Sequence, residues 1–293
     1  MSHAWREFAP AKINLFLHVG PVRGDGYHPI HSLMTFADVG DEVSAAPGES
    51  MDFAVDGPFS GGLGADKDNL VVRARDALLE TALAPPAAFR LVLSKRLPIA
   101  AGLGGGSADA AAALRLMRRA LGLDVSDEVV AGIARALGAD VYACLLGQPT
   151  MATGRGDVLS PAPGLPALHA VLANPLVPSQ TAEVYRAYDE MPAEANKPCS
   201  TESFANLKDT LAFLDACRND LEAPAVRLRS EIGEVLAALV AQPETLLARM
   251  SGSGATCFAI CECAGEARAL ATRLSRHRPG WWVRQTLLRG SPT

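Results

Sequence analysis

The sequence predicts an α+β protein built as two lobes. Three observations carry this. Strand-type and helix-type segments mix along the first half, a proline cluster breaks the chain near residue 160, and a helix-rich set of segments follows the break. The 293 residues suffice for one large domain or two ordinary ones, and 49% apolar residues can fill a sizeable core.

Taken in order, "AKINLFLHV" alternates partly and is rich in strand formers, and "PVRGDGYH" after it is a turn-rich loop. "DEVSAAP" and "MDFAVDG" read as short strands, and "GPFSGGLGADKDN" as a loop. "NLVVRARDALLETAL" has helical periodicity, and "AFRLVLSKRL" has strand character. "SADAAAALRLMRRALGL" predicts a helix with Ser107 as its N-cap, and "DEVVAGIARALGAD" a second helix ending at Gly138. "SPAPGLPAL" then marks a sharp change of direction, placing one domain over 1–160 and another over 161–293. In the second, "HAVLANP" reads as a strand, and "TAEVYRAYDEM", "SFANLKDTLAFLDA" and "SEIGEVLAALVAQ" as helices. "EMPAEANKPCSTES" is an irregular loop. "PETLLARMSGSGATCFAICE" reads as helix, glycine loop and strand, and "GWWVRQTLLR" as a closing strand.

Composition excludes several function classes. A net charge of −5 offers no basic excess for nucleic acid. The N-terminus lacks the apolar run of a signal peptide, and no apolar run approaches the roughly 18 residues of a membrane helix. The six cysteines form no Cys-x-x-Cys pair and have no histidine cluster beside them, which argues against zinc. Cys257, Ala259, Cys261 and Cys263 share one parity, hence one strand face, and read as small core residues in a reducing compartment.

The stretch "LPIAAGLGGGSADAAAALR" holds the main candidate site. Gly102, Gly104, Gly105 and Gly106 open a helix, where backbone N–H groups and the helix dipole favour an anion. No lysine follows the glycines, so this is not the G-x-x-x-x-G-K-[ST] phosphate loop. The dinucleotide pattern fails too: Gly102 and Gly104 fit, but Ser107 stands at its sixth position, and Pro98 suits no central parallel strand. Tight helix packing alone would also explain the glycines.

If that loop holds polyphosphate, a cation and a carboxylate are needed elsewhere. Lys12 and Asn14 lie on one side of the strand in "PAKIN". Asp140 follows Gly138 and opens the next element, as a reactive carboxylate or as a helix cap. Tyr27 and His28 in "GDGYHPIHS" offer an aromatic face and an imidazole edge to a planar base, or pack structurally. Gly252 and Gly254 in "RMSGSGATC" form a second glycine loop.

Together, "PIAAGLGGGSADAAAAL", "PAKINLFLHV", "GYHPIHSLM", "DNLVVRA", "LGADV", "NDLEAP" and "MSGSGATCF" resemble the GHMP kinases over about residues 8–262. "PAKINLFL" with "GYH" resembles the branch of that family acting on a cytidyl-bearing alcohol in non-mevalonate isoprenoid precursor synthesis. The resemblance implies the two-lobed GHMP kinase fold with its site in the cleft between lobes, a first domain of the ribosomal S5 domain 2-like kind, and transfer of phosphate from ATP to the substrate 2-hydroxyl. It assigns Asp140 as general base and Lys12 as its cationic partner. Pro98, Ile99, Ala100, Ala101, Gly102, Leu103, Gly104, Gly105, Gly106 and Ser107 would wrap the ATP phosphates, with Asn69, Leu70 and Lys95 near the adenosine. Tyr27, His28 and Tyr185 would hold the cytosine, and Asn14 and Thr181 the substrate's polar groups. Mg²⁺ is expected with ATP, with no ligand set indicated. The implied partners are these two small molecules, with no nucleic acid and no membrane, in the cytoplasm.

Two positions depart from the family pattern: Tyr142 replaces a usual proline after "GADV", and Asp157 in "TGRGD" replaces a usual glutamate. A homoserine or phosphomevalonate kinase type remains an alternative, disfavoured because a small aliphatic alcohol has no use for "GYH" with Tyr185. So does a non-catalytic nucleotide-binding regulator, disfavoured because it needs neither Lys12 nor Asp140.

Overall fold

The computed structural model describes residues 5–64, 68–83, 88–162, 164–191, 204 and 206–292. Most of the "EMPAEANKPCSTES" loop, part of "GPFSGGLGADKDN" and Cys199 lie outside the described residues. Two compact units interleave along the chain. The first comprises residues 1–11, 40–97 and 104–147, the second 12–39, 98–103 and 148–293. Two long strands, β1 (Trp5–Val19) and β2 (Ile30–Pro47), contribute residues to both.

In the first unit, the end of β2 pairs antiparallel with β4 (Phe89–Ser94), from Glu42↔Ser94 to Pro47↔Phe89. Beside it, β3 (Asp52–Asp56) runs parallel to β4. Parallel neighbours need a crossover, and α1 (Leu70–Thr81) supplies it. Asn69 caps α1 by accepting from Val71 N at 3.0 Å. Against α1 packs α2 (Gly105–Ala120), whose Ala108 and Ala110 to Ala113 are fully buried. A helix buried on so many sides needs side chains this small to let its neighbours approach. α3 (Asp127–Leu137) begins at Ser126, whose Oγ accepts from Val129 N, and α4 (Ala139–Leu146) follows directly and packs on α2 and α3.

The helix at the glycine loop starts earlier than expected. Gly104, in the left-handed region at φ 60°, is the N-cap, and Ser107 is the third helical residue. Glycine supplies a backbone turn that serine resists, so the turn, not the hydroxyl, sets the start.

In the second unit, antiparallel strands follow the order β2, β10 (Trp282–Leu288), β7 (Leu168–Asn174), β9 (Cys257–Cys261) and β8 (Leu247–Met250). A hairpin of β5 (Thr150–Thr153) and β6 (Val158–Pro161) adds to β2 through Ser32↔Ala152. Among the described residues the unit also holds the helices α5 (Thr181–Asp189), α6 (Leu207–Asp215), α7 (Glu222–Leu228), α8 (Ser230–Val240) and α9 (Ala264–His277). α8 and α9 cover β7 and β9, burying Val171, Ile232, Val235, Leu270, Cys257 and Cys261 in one core. Burial pushes the Cys257 thiol well above its ordinary value and the Cys261 thiol up to about 12, so both stay protonated. Cys263 breaks the expected parity: it is exposed, past the end of β9, as the N-cap of α9.

The segment "LARM", read with "PETL" as helical, is a strand. Pairing of Leu247–Met250 with Ile260–Cys257 overrides a weak propensity. Strand geometry also aims Arg249 inward. Its guanidinium donates to Leu15 O, Leu214 O and Cys217 O, each at 2.8 Å, and is almost wholly buried.

Arg249→Ala is expected to lower the unfolding free energy by about 3 kcal/mol or more, because three carbonyls lose a charged donor. Urea unfolding followed by circular dichroism measures it. A loss below about 1 kcal/mol would show that those carbonyls find other donors.

Candidate active site

The glycine loop is held by its own carbonyls. Ala100 O accepts from Ser179 N at 3.2 Å, Ala101 O from Thr256 N at 3.0 Å, and Leu103 O from Lys12 N at 2.9 Å. Gly102 O accepts from Ser251 Oγ at 3.0 Å. Four successive carbonyls therefore point into the second unit's own framework. Ala100 takes φ 49°, a conformation rare for a residue with Cβ, and Gly102 takes φ 72°. A Cβ on Gly102 would stand 2.2 Å from Ser251 O, so glycine is required here by the second glycine loop, Ser251–Gly254. Beyond the loop, Ala108 N donates to Gly104 O at 2.9 Å, closing the first helical turn. The N–H groups of Gly104 to Ser107 precede that ladder, the position where helices bind anions. Pro98 and Ala101 are buried, whereas Ile99, Ala100 and Gly106 are exposed.

In the first unit, Lys95 lies under the start of α2. Its ammonium bonds Asp41 and, at 2.8 Å, Asp109 Oδ2, and is buried with both. Asp41 Oδ1 also accepts from Arg96 N and Leu97 N at 2.5 and 2.8 Å. A Cβ on Gly105 would stand 2.9 Å from Lys95 Nζ, so Gly105 makes room for this charge. One ammonium thus serves two carboxylates. Burial pushes the Asp109 carboxyl up to about 8, against the pull of Lys95 and with the charge of Asp41 adding to the rise. Asp109 Oδ1 has no hydrogen-bond partner among the described residues. Leu70, at the start of α1, lies within van der Waals reach of a Cβ on Gly106, and Asn69 caps the same helix.

Lys12 is only 5% exposed in β1, which excludes a solvated edge lysine. Two residues on, Asn14 N donates to Ser251 Oγ at 3.2 Å and Asn14 Nδ2 to Ser32 Oγ at 2.8 Å. Thr181 Oγ1 lies 2.9 Å from Ser253 Oγ. The second glycine loop therefore gathers Asn14, Thr181 and the loop 98–103 into one cluster. Asp140 sits in the first turn of α4, half-buried, and is the one acidic residue in that turn. The helix is regular there. Tyr142 N donates to Gly138 O at 3.4 Å, and the Tyr142 ring lies under the Arg135 guanidinium at 4.1 Å. Proline has no N–H for that bond, so tyrosine adds one intrahelical bond, and the turn that carries Asp140 remains helical.

Two of the residues that the resemblance assigns to the cytosine, His28 and Tyr185, meet in a further cluster in the second unit. His28 and Tyr185 have ring centroids 5.1 Å apart, and Tyr188 packs edge-on to His28 at 5.8 Å. His28 Nδ1 is 2.9 Å from Gly20 O, an acceptor only, so Nδ1 carries the proton. Nε2 faces Asp189 Oδ1 at 3.3 Å. Both imidazole nitrogens are thus engaged within the protein, where the sequence offered an edge for a ligand. Tyr27 is 52% exposed, with the Arg155 guanidinium 4.2 Å from its ring centroid. Asp157 Oδ1 accepts from Arg155 N at 2.9 Å and so closes the β5–β6 turn.

Sequence reasoning missed Asp41, Asp109, Ser179, Ser251, Ser253, Arg155 and Asp189. The paired glycines of "SGSG" and "GRG" were the available signals for Ser251, Ser253 and Arg155. The other four stand in segments whose pattern says only strand, helix or loop.

Residues 69–148 match the GHMP kinases N terminal domain, and residues 201–280 match the GHMP kinases C terminal domain. The chain belongs to the GHMP kinase family. Within it, a 4-diphosphocytidyl-2-C-methyl-D-erythritol kinase of Caulobacter sp. (strain K31) is 56% identical over 97% of this chain and 98% of its own length. The enzyme of that name from Caulobacter vibrioides (strain NA1000 / CB15N) is 55% identical over 96% of this chain and 98% of its own. A crystal structure of a 4-(cytidine 5'-diphospho)-2C-methyl-D-erythritol kinase superposes with a TM-score of 0.76 at 34% identity, covering 97% of this chain and 100% of that one. A homoserine kinase from Cytophaga hutchinsonii shares the fold at 18% identity, with a TM-score of 0.72 over 98% of this chain and 95% of its own.

The raised Asp109 group gives a pH dependence with a definite sign. Its folded-state value lies above the unfolded one, so folding favours the protonated carboxyl. That contribution is complete below about pH 4 and is lost as pH rises toward about 8. Asp109→Asn should flatten this slope. Urea midpoints of both proteins between pH 4 and 8 check it, and parallel pH profiles would contradict the assignment.

Proposed function

We propose that this chain is an ATP-dependent kinase that phosphorylates the 2-hydroxyl of 4-diphosphocytidyl-2-C-methyl-D-erythritol, giving the 2-phosphate and ADP. The observation that carries this reading is the 55–56% identity, kept over 96–97% of the chain, with kinases of that name. A boundary between an N-terminal and a C-terminal domain near residue 160 belongs to the same reading; it is compatible with matched segments over 69–148 and 201–280.

In this reading the ATP phosphates lie against the N–H groups of Gly104 to Ser107 and along the loop from Pro98. The loop's carbonyls are turned away, so its donors are what a phosphate meets. Asn69 and Leu70, which open α1, border the adenosine. Lys95 acts from within the fold, at the start of α2, because its ammonium is already shared between Asp41 and Asp109. Lys12 supplies the positive charge absent from the glycine loop. Asp140 accepts the proton of the 2-hydroxyl as its oxygen attacks the γ-phosphorus, and ADP departs with the electrons of the broken P–O bond. Asn14 and Thr181 orient the substrate's polar groups. Tyr27, His28 and Tyr185 hold the cytosine, with His28 acting through its ring face because both nitrogens are engaged.

Mg²⁺ is expected to arrive on the ATP phosphates, a mode that asks for only one or two protein oxygens. No group of three His, Cys, Asp or Glu among the described residues forms a metal cage. Among those residues no helix is long and apolar enough to cross a membrane. The free thiols of Cys257, Cys261 and Cys263 suit a reducing compartment, and the cytoplasm is the proposed location.

An ATP-consumption assay with Mg²⁺ tests the reading, using the cytidyl substrate, homoserine and phosphomevalonate in parallel. ADP release is expected with the first alone, and Asp140→Asn should slow it by about 10²–10⁴. Release with another alcohol would overturn the substrate, and unchanged turnover in the variant would remove Asp140 as base.

A further inference from the structure

Tyr27 poses a physical problem as a platform for a base. It sits in a turn held by Tyr27 N to Asp25 Oδ1 at 3.0 Å and Arg23 N to Tyr27 O at 2.8 Å, and half of it is exposed. A phenol on such a turn swings freely unless something fixes its plane, and a base landing on it would have to freeze that motion. The β5–β6 turn supplies a fixture. Gly154 and Gly156 take φ 67° and 89°, which puts Arg155 at the tip between them. Asp157 Oδ1 holds Arg155 N at 2.9 Å, and Gly154 O accepts from Ile30 N at 2.7 Å, tying this turn to the strand that follows Tyr27 and His28. From that tip the guanidinium reaches over the ring, 4.2 Å from its centroid.

We propose that Arg155 is a positioning residue for the cytosine platform: its guanidinium covers one face of Tyr27 and sets the ring so that the opposite face receives the base. This rests on the proposed function, in which Tyr27 holds the cytosine. The stack is planar group on planar group on planar group, with a cation at the back drawn to the π-face. Its strength comes from two backbone-tethered turns, which lower the ordering that binding requires. The effect is on capture of the nucleobase, with no role in phosphate transfer.

Steady-state kinetics of the full chain test it, with Arg155→Ala, Arg155→Lys and Tyr27→Ala beside the parent. Arg155→Ala should raise KM for the cytidyl substrate about two- to fivefold, as fits one exposed cation–π contact. The loss should fall on KM and not on kcat, with KM for ATP and the melting temperature unmoved. Arg155→Lys should recover part of the loss, since lysine keeps the charge without the plane. Tyr27→Ala should raise the same KM at least as far. An unchanged KM in Arg155→Ala while Tyr27→Ala raises it would overturn the role of Arg155 alone. A lowered KM in Arg155→Ala would overturn it too, by showing that the guanidinium obstructs the base. An unchanged KM in Tyr27→Ala would remove the platform itself, and the inference with it.

Discussion

Four main-chain carbonyls, from Ala100 to Leu103, decide what the glycine loop can offer. Each accepts a bond from within the second unit, from Ser179, Thr256, Ser251 and Lys12 in turn. A peptide plane whose oxygen is fixed inward has its N–H turned the other way. The loop is therefore a donor surface by construction, and a negative ligand is what such a surface selects. The left-handed residues Ala100, Gly102 and Gly104 are the conformational cost of running four carbonyls to one side. The same constraint explains the absent loop lysine. A cation inside the loop is unnecessary when the backbone supplies the donors, and Lys12 is brought to the loop's end by its own N–H bond to Leu103 O.

Buried charge organises the first unit in a different way. Lys95 shares its ammonium between Asp41 and Asp109, and Asp41 also clamps the two backbone N–H groups that follow Lys95. The cluster ties the segment just after β4 to the first turns of α2. Glycine at 105 is required because the ammonium occupies the space a side chain would fill. The glycines of the loop therefore have separate causes. Gly102 yields to a neighbouring carbonyl, Gly104 supplies a left-handed turn, and Gly105 yields to a lysine.

Much of this was legible before any coordinates. The glycine loop, the strand that carries Lys12 and Asn14 on one side, the start of a new element at Asp140 after Gly138, and most strands and helices follow from period, turn residues and caps. The misreadings are physically specific. "LARM" is helical by composition and becomes a strand because β9 pairs with it. Ser107 is a good cap by type, but Gly104 turns the chain first. The helix over Ala264–His277 and the short one over Glu222–Leu228 passed unread, one arginine-studded and the other interrupted by Pro224. The glycine loop's anchors, Ser179, Ser251 and Thr256, lie far from it in sequence, and the pairing of Lys95 with Asp41 and Asp109 spans three separate segments. No local pattern encodes such partners. The stack of Arg155 on Tyr27 joins two turns more than a hundred residues apart and is visible only when both are folded.

A loop that presents backbone donors to phosphate must report the phosphates through its own amides. Amide NMR of ¹⁵N-labelled protein checks this, with ADP titrated in one series and adenosine in another. The Ala101, Gly102, Leu103 and Gly104 amides, whose peptide oxygens are the ones held inward, are expected to shift strongly with ADP and to stay in place with adenosine, which lacks the phosphates. Saturating ADP that moves other amides while leaving these four unmoved would overturn the tethered-loop account.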